Sequence, residues 1–298
     1  MKLKRFKLFL SKTMWKRIFC IASKEFRNSL RNGWILVLIA LFLSMSLMIP
    51  FYGASGEKGE YWHDLEQAVV YMVSYMEFTA PVLGIILGYG AVVSERESGS
   101  LELLSSYPLD RGEIVAGKFL GLWALIALCI GLGLGIGGAI LSTLVKDMIW
   151  AEYYLFVFSS IMLGGVYLSL SMMVSTFFKT SNSAVCASVF LLFLFNILWF
   201  FIMYAVAEAT FGWESLIQGI SPPTWYFSAQ FLNPVMIWYT LLALNLPTLR
   251  LGAMELGGRE VEVYPDIYQT WSMIAILVLW IAIPLLISEY NIRRIELN

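Results

Sequence analysis

Gly112-Glu-Ile-Val-Ala-Gly117-Lys118 has the glycine and lysine spacing of a loop that cradles nucleotide phosphates. That chemistry needs a preceding strand and a Ser or Thr after the lysine to hold Mg²⁺. Here the next residue is Phe119, and an apolar run begins at once. Gly133-Leu-Gly135-Ile-Gly137-Gly138 has dinucleotide-binding spacing but lies inside that run, away from any βαβ unit. Neither match is read as a nucleotide site. His63 is the only histidine, beside Asp64, so no histidine pair is available for a metal. Gly-x-Ser-x-Gly and His-Glu-x-x-His are absent. Cys20, Cys129 and Cys186 are far apart in or beside apolar stretches, and read as small buried hydrophobes rather than a disulfide or zinc framework. The methionines are scattered, and Met72 and Met76 sit at helical spacing, which fits core packing better than copper binding. No catalytic residue, metal or cofactor is expected on this chain.

Two kinds of polar feature remain. Glu77 is an acid inside an apolar run. A charge in hydrocarbon costs at least a few kcal/mol unless paired, neutralised or hydrated. Either Glu77 lines a pathway or contact between subunits, or the span starts near Met76 and Glu77 lies at the outer interface. Glu208 reads as interfacial. The second feature is Ser94–Lys118, SERESGSLELLSSYPLDRGEIVAGK, a polar insert between apolar runs. Ser94 and Glu97 have capping-box spacing, as do Asp110 and Glu113. Leu101, Leu103 and Leu104 follow the first box, and Pro108 ends that helix. A capped helix in so short an insert is shaped to dock onto something outside the membrane.

The elements that carry these residues are helices in a bilayer. Of 298 residues, 59% are hydrophobic and 14% charged, with mean hydropathy +0.74. Soluble domains are about 45–50% apolar and about 25% charged. The expected class is an all-α integral membrane protein with six spans, near 33–50, 69–93, 119–145, 153–178, 183–207 and 270–288. The first 32 residues lack the compact apolar core of a cleavable signal. They hold ten of the chain's twenty Lys and Arg, and the insert, Lys179, Arg293 and Arg294 share their side. Only Lys58, Lys146, Arg250 and Arg259 fall opposite. The charge bias places both termini and the insert in the cytoplasm of a multi-pass plasma-membrane protein.

Residues 1–32 predict an amphipathic helix lying on the cytoplasmic surface. Leu8, Trp15, Phe19 and Phe26 share one stripe, and Lys16, Lys24, Arg27 and Arg31 gather opposite, toward anionic lipid or an acidic partner. The domain boundary follows it, with residues 33–298 forming the spanning unit. Gly131, Gly135, Gly133 and Gly137 stand four apart and suit close helix packing, within the chain or across a dimer. The outer region 208–268 is apolar in part but broken by Pro222-Pro223, Asn233-Pro234 and Pro247. It reads as re-entrant or interfacial helices capping the outer face. No internal repeat is visible.

The insert closely resembles the signature that follows the second span of ABC-2-type transporter permeases. Ala22-Ser-Lys-Glu25-Phe-Arg-Asn-Ser-Leu-Arg-Asn-Gly-Trp34 is similar to the leading segment of that family. Within it, Asn233-Pro234, Ala243-Leu-Asn-Leu246 before Leu251-Gly-Ala-Met254, and Pro284-Leu-Leu ahead of Arg293-Arg294 look most like the NosY branch, associated with nitrous-oxide-reductase maturation. The resemblance implies a six-span half-transporter of type V exporter-like architecture. It implies a second permease copy, two separate ATPase subunits carrying ATP and Mg, and no nucleic acid. The family's coupling helix maps onto Glu95, Glu97, Ser100, Leu101, Glu102, Leu103 and Leu104, and its leading helix onto Lys24, Glu25 and Arg27. The branch implies service to a periplasmic copper enzyme, with region 208–268 open to an extracytoplasmic partner. Export of lipid, glycan or drug-like cargo is the alternative in the wider family. An intramembrane enzyme would need facing polar residues at depth, where Glu77 stands alone. A channel or scaffold would need no motor.

Overall fold

A computed structural model describes residues 2–54, 65–99, 110–144, 150–212, 223–246 and 268–295, and every regular element among them is helical. In chain order these are α1 (Lys2–Arg31), α2 (Gly33–Ala54), α3 (Leu65–Gly88), α4 (Val93–Glu97), α5 (Arg111–Leu144), α6 (Trp150–Phe177) and α7 (Ser181–Phe193). A π-helical turn (Leu194–Leu198) joins α7 to α8 (Trp199–Thr210). Then come α9 (Thr224–Gln230), α10 (Pro234–Asn245) and α11 (Thr270–Ile295). Five runs are long and apolar enough to cross a membrane: α3 continuing into α4, then α5, α6, α7–α8 and α11. α2 is 22 residues long, has no charged residue, and meets α1 across a 78° bend; the bent pair taken together makes a sixth.

Apolar runs locate the spans, but polar contacts set their ends. α5 starts at Arg111, well before the expected Phe119. The Asp110 N–H donates to Glu113 Oε2 at 3.4 Å, the return arm of the expected capping box. Glu113 and Lys118 continue the helix because each finds a charged partner. Gly112–Lys118 is therefore helix, with no loop to cradle phosphate. The other capping box is not formed. Ser94 lies inside α4, Val92 is its N-cap, and the Val92 and Val93 amides donate to Ser175 Oγ of α6 at 3.1 and 2.9 Å. The expected helix through Leu101–Leu104 to Pro108 lies outside the described residues.

α6 is the hub. In its most apolar stretch 78% of residues are buried, against 17% in α7–α8 and 22% in α11. Small residues allow this crowding. A Cβ on Gly84 of α3 would lie 2.6 Å from the Gly164 carbonyl oxygen, and one on Gly165 would lie 2.6 Å from Trp123 Nε1 of α5. Ser159, Ser160 and Ser169 stay buried by donating to carbonyls one turn back in their own helix. Gly133 packs against Phe42 and Ser46 of α2, and Gly137 is buried. A Cβ on Gly131 or Gly135 would meet nothing within 4 Å.

Within the outer region, α9 and α10 enter the bundle. α10 is apolar and 12 residues long, about 18 Å, too short to cross. Asn233, fully buried, caps it: Oδ1 accepts from Val235 N at 2.8 Å, and Pro234 fills the first helical position. Its Nδ2 donates to the Phe195 carbonyl in the π turn, at 2.7 Å. Trp280 Nε1 donates to the Phe231 carbonyl at 3.2 Å, ten residues into α11, while Thr270 at the start of α11 donates to Asn245 Oδ1. The α9–α10 tip thus reaches halfway along its neighbours, as a re-entrant pair does. Residues 213–222 and 247–267 of the outer region lie outside the described residues.

Candidate functional site

The basic end of the bundle is built on α1 and α5. α1 has three faces. Ile18, Ile21, Ala22 and Glu25 turn to α5, where Gly117 and Gly121, one turn apart, form a notch. A Cβ on Gly117 would lie 2.7 Å from Ile21 Cβ, and one on Gly121 2.4 Å from the Ala22 carbonyl oxygen. Trp15 and Phe19, on the expected apolar stripe, face away from the protein at 59% and 76% exposure. Phe26 packs against the edge of the core, and Leu8 lies among residues whose side chains are not described. Lys16, Lys24, Arg27 and Arg31 form the exposed basic face. α1 thus meets α2 across a 78° bend and carries an uncovered aromatic stripe beside a basic one.

Four segments converge on charged side chains. Lys118 of α5 is 5% exposed. Its Nζ lies 2.6 Å from Glu95 Oε1 of α4 and 3.3 Å from Glu25 Oε1 of α1. Glu25 also faces Lys24 Nζ at 3.6 Å. Arg17 Nη1 and Glu113 Oε2, 3.6 Å apart, add a second tie between α1 and α5. From α4, Glu97 reaches the start of α7: Ser181 N donates to Oε1 at 2.8 Å, and Ser181 Oγ donates to Oε2. The Ser181 hydroxyl, then its amide, hold the Glu97 carboxyl below its ordinary range. Glu289 of α11 lies against Gly112 and pairs with Arg293. α4 is therefore joined by polar contacts to α5, α6 and α7, and to α1 by way of Lys118.

Of the residues expected here, the structure brings together Glu25, Glu95 and Glu97, with Lys24 at the margin. Arg27 is exposed, and Ser100, Leu101, Glu102, Leu103 and Leu104 lie outside the described residues. Glu25 and Glu95 turn inward to Lys118. Sequence reasoning passed over Lys118 as part of a failed phosphate motif, and missed Ser175 and Ser181. The Asp110–Glu113 capping box held the signal: it starts a helix whose second turn puts Lys118 beside the Gly117–Gly121 notch.

Glu77 lies halfway along α3 and is half-buried, with helix on both sides of it. It is within electrostatic range of Tyr167, fully buried on α6, whose hydroxyl accepts from Asn196 Nδ2 of the π turn at 3.0 Å. Asn196 Nδ2 also donates to the Leu192 carbonyl, and Asn196 Oδ1 is buried without a partner among the described residues. Pro81, one turn on, withholds a donor from the Glu77 carbonyl. Met72 and Met76 sit in the core, and Glu208 is exposed at the end of α8. Cys129 is buried, but Cys20 and Cys186 are exposed, so only one cysteine is the expected buried hydrophobe. His63 lies outside the described residues.

The family model for ABC-2 family transporter proteins matches residues 19–294. A probable ABC transporter permease protein NosY of Pseudomonas aeruginosa is 32% identical over 199 residues, covering 65% of this chain and 72% of that protein. The protein of the same description from Stutzerimonas stutzeri is 29% identical over 289 residues, covering 93% and 98%. The match runs from α1 through α11 and takes in Glu25, Glu95 and Lys118, so the chain belongs to the ABC-2 family of transporter permeases and is similar to its NosY members.

Proposed function

We propose that this chain is the membrane subunit of an ATP-driven transporter whose motor is a separate pair of ABC ATPase subunits. Two permease copies pair in the cytoplasmic membrane with both termini and the insert in the cytoplasm, and ATP and Mg stay on the motor. The observation that carries this reading is the junction at the basic end. The insert leaves from α4 and returns through Asp110 into α5, and both ends are tied to α1 through Lys118, Glu95, Glu25 and the Arg17–Glu113 pair. A push on the insert is therefore delivered to spans, not absorbed in a slack loop. Coupling requires the motor's two states to contact the insert differently.

The test is assembly. Tagged permease purified from its host membranes is expected to bring down an ABC ATPase with vanadate-sensitive Mg-ATP hydrolysis. Replacing Leu101 and Leu104 together by Asp is expected to abolish that association; undiminished assembly refutes the docking role. Similarity to NosY members favours service to maturation of a periplasmic copper enzyme over export of lipid, glycan or drug-like cargo. Loss of the gene should then leave nitrous-oxide reductase without its copper while lipid and glycan export continue.

A further inference from the structure

We propose that Lys118 is the positioning residue that joins α4 to the α1–α5 body, so that its ion pair with Glu95 carries the movement of the insert into the third span. This rests on the reading that a motor moves the insert.

α1 and α5 behave as one piece. The Gly117–Gly121 notch brings their backbones too close for any added carbon, and the Arg17–Glu113 and Lys118–Glu25 pairs pin the same surfaces. α4 is different. It is one short helix strung between two bodies. On one side Ser175 and Ser181 bind it to α6 and α7; on the other Lys118 Nζ reaches Glu95 at 2.6 Å. Lys118 is shared by carboxylates of two segments, and its flexible stem lets it lean toward either. A buried ion pair adds little stability over a well-packed apolar contact, whereas losing one partner is severe. A pair placed where two bodies meet therefore suits a bond that defines their relative position.

The experiment uses the permease–ATPase complex in liposomes, with the exposed Cys20 and Cys186 changed to Ser and Thr143→Cys at the far end of α5 labelled with bimane. Trapping with Mg-ATP and vanadate should shift the bimane emission in this background. Lys118→Met should retain ATPase association and hydrolysis yet lose more than half of the shift. Lys118→Glu combined with Glu95→Lys, in a Glu25→Gln background that removes the like charge left beside position 118, should regain it, a rescue that a general packing role does not give. A full shift in Lys118→Met overturns the proposal, and so does failure of that variant to assemble, which would make Lys118 a folding or docking residue. If the unsubstituted background itself binds no ATPase, the motor reading fails first, and that outcome is distinct from the other two.

Discussion

The contact between α1 and α5 makes a measurable difference between two glycines of one helix. In Gly121→Ala the new Cβ lies 2.4 Å from the Ala22 carbonyl oxygen and 3.0 Å from its Cα, both backbone atoms that cannot rotate away. Ordinary contact begins near 3.4 Å, so α1 must retreat by about 1 Å, at an overpacking cost of about 1–3 kcal/mol. In Gly131→Ala the Cβ meets nothing within 4 Å. Both substitutions gain up to about 1 kcal/mol of helix propensity, and that gain cancels when the variants are compared. The difference between them is then the contact alone. Expressed in a barrier to irreversible loss, about 1–3 kcal/mol is roughly a 5- to 150-fold ratio of rates. The assay is the decay of monodisperse protein in detergent at one fixed temperature, followed by size-exclusion chromatography. Gly121→Ala should decay faster by that ratio, and Gly131→Ala no faster than the parent. Equal decay of the two variants would mean that α1 is not seated in the notch.

Glu77→Leu removes a half-buried acid from the middle of α3 and should raise the apparent melting temperature in detergent, since a carboxylate withdrawn from water without a partner is destabilising; a fall would reveal a stabilising partner for the carboxylate. The depressed Glu97 carboxyl makes its tie to Ser181 pH-dependent in a definite sense. The tie contributes fully above the ordinary carboxylate range and is lost as pH falls through the lower, folded value. Ser181→Ala should move that titration upward, read as the carboxylate infrared band that disappears in Glu97→Gln; no movement would remove Ser181 as its cause. Asn233→Ser keeps an oxygen to cap α10 but loses the donor to Phe195, so it should cost about 1–3 kcal/mol, and Asn233→Leu about 1 kcal/mol more through the lost cap. Equal melting temperatures for these two variants would show that the cap is idle.

The spans were legible in the sequence because hydrocarbon imposes one rule, long apolar helices, and each run in this chain obeys it. Their ends were not. Glu113 and Lys118 fell outside the apolar span because hydropathy counts charge and cannot see that Arg17, Glu25 and Glu95 await them from other segments. Ser94 has the spacing of a cap, yet Ser175, distant in sequence, took the role through tertiary contact. The repeated glycines of α5 drew notice by their period. Other glycines in tight approaches did not stand out: Gly117 and Gly121 also lie four apart but in the charged start of α5, where they face α1, while Gly84 and Gly165 face α6 and α5 singly. Asn233-Pro234 was visible as a break. Its use as a buried cap that also grips the π turn depends on α7–α8 and α11, which the local sequence does not specify.

The bundle divides into a part that is costly to rearrange and a part that is not. Sliding α3 or α5 along α6 drives Gly84 or Trp123 into backbone and ring atoms already at contact distance. Moving α7–α8 mostly exchanges one apolar surroundings for another, because so little of it is buried in the chain, and lipid gives helices no hydrophobic reason to stay together. From α4 two connections diverge across that division. Lys118 leads into α5 and the rigid part; Glu97, through Ser181, leads into α7 and the loosely held part. A displacement of α4 with both connections intact acts on α5 and α7 together, and one with Lys118 disengaged still acts on α6 through Ser175 and on α7 through Ser181 but no longer directly on α5. The hold of Asn233 on the Phe195 carbonyl sets where that second motion meets resistance, at the π turn halfway along the span, one residue from Asn196 and its contact with Tyr167.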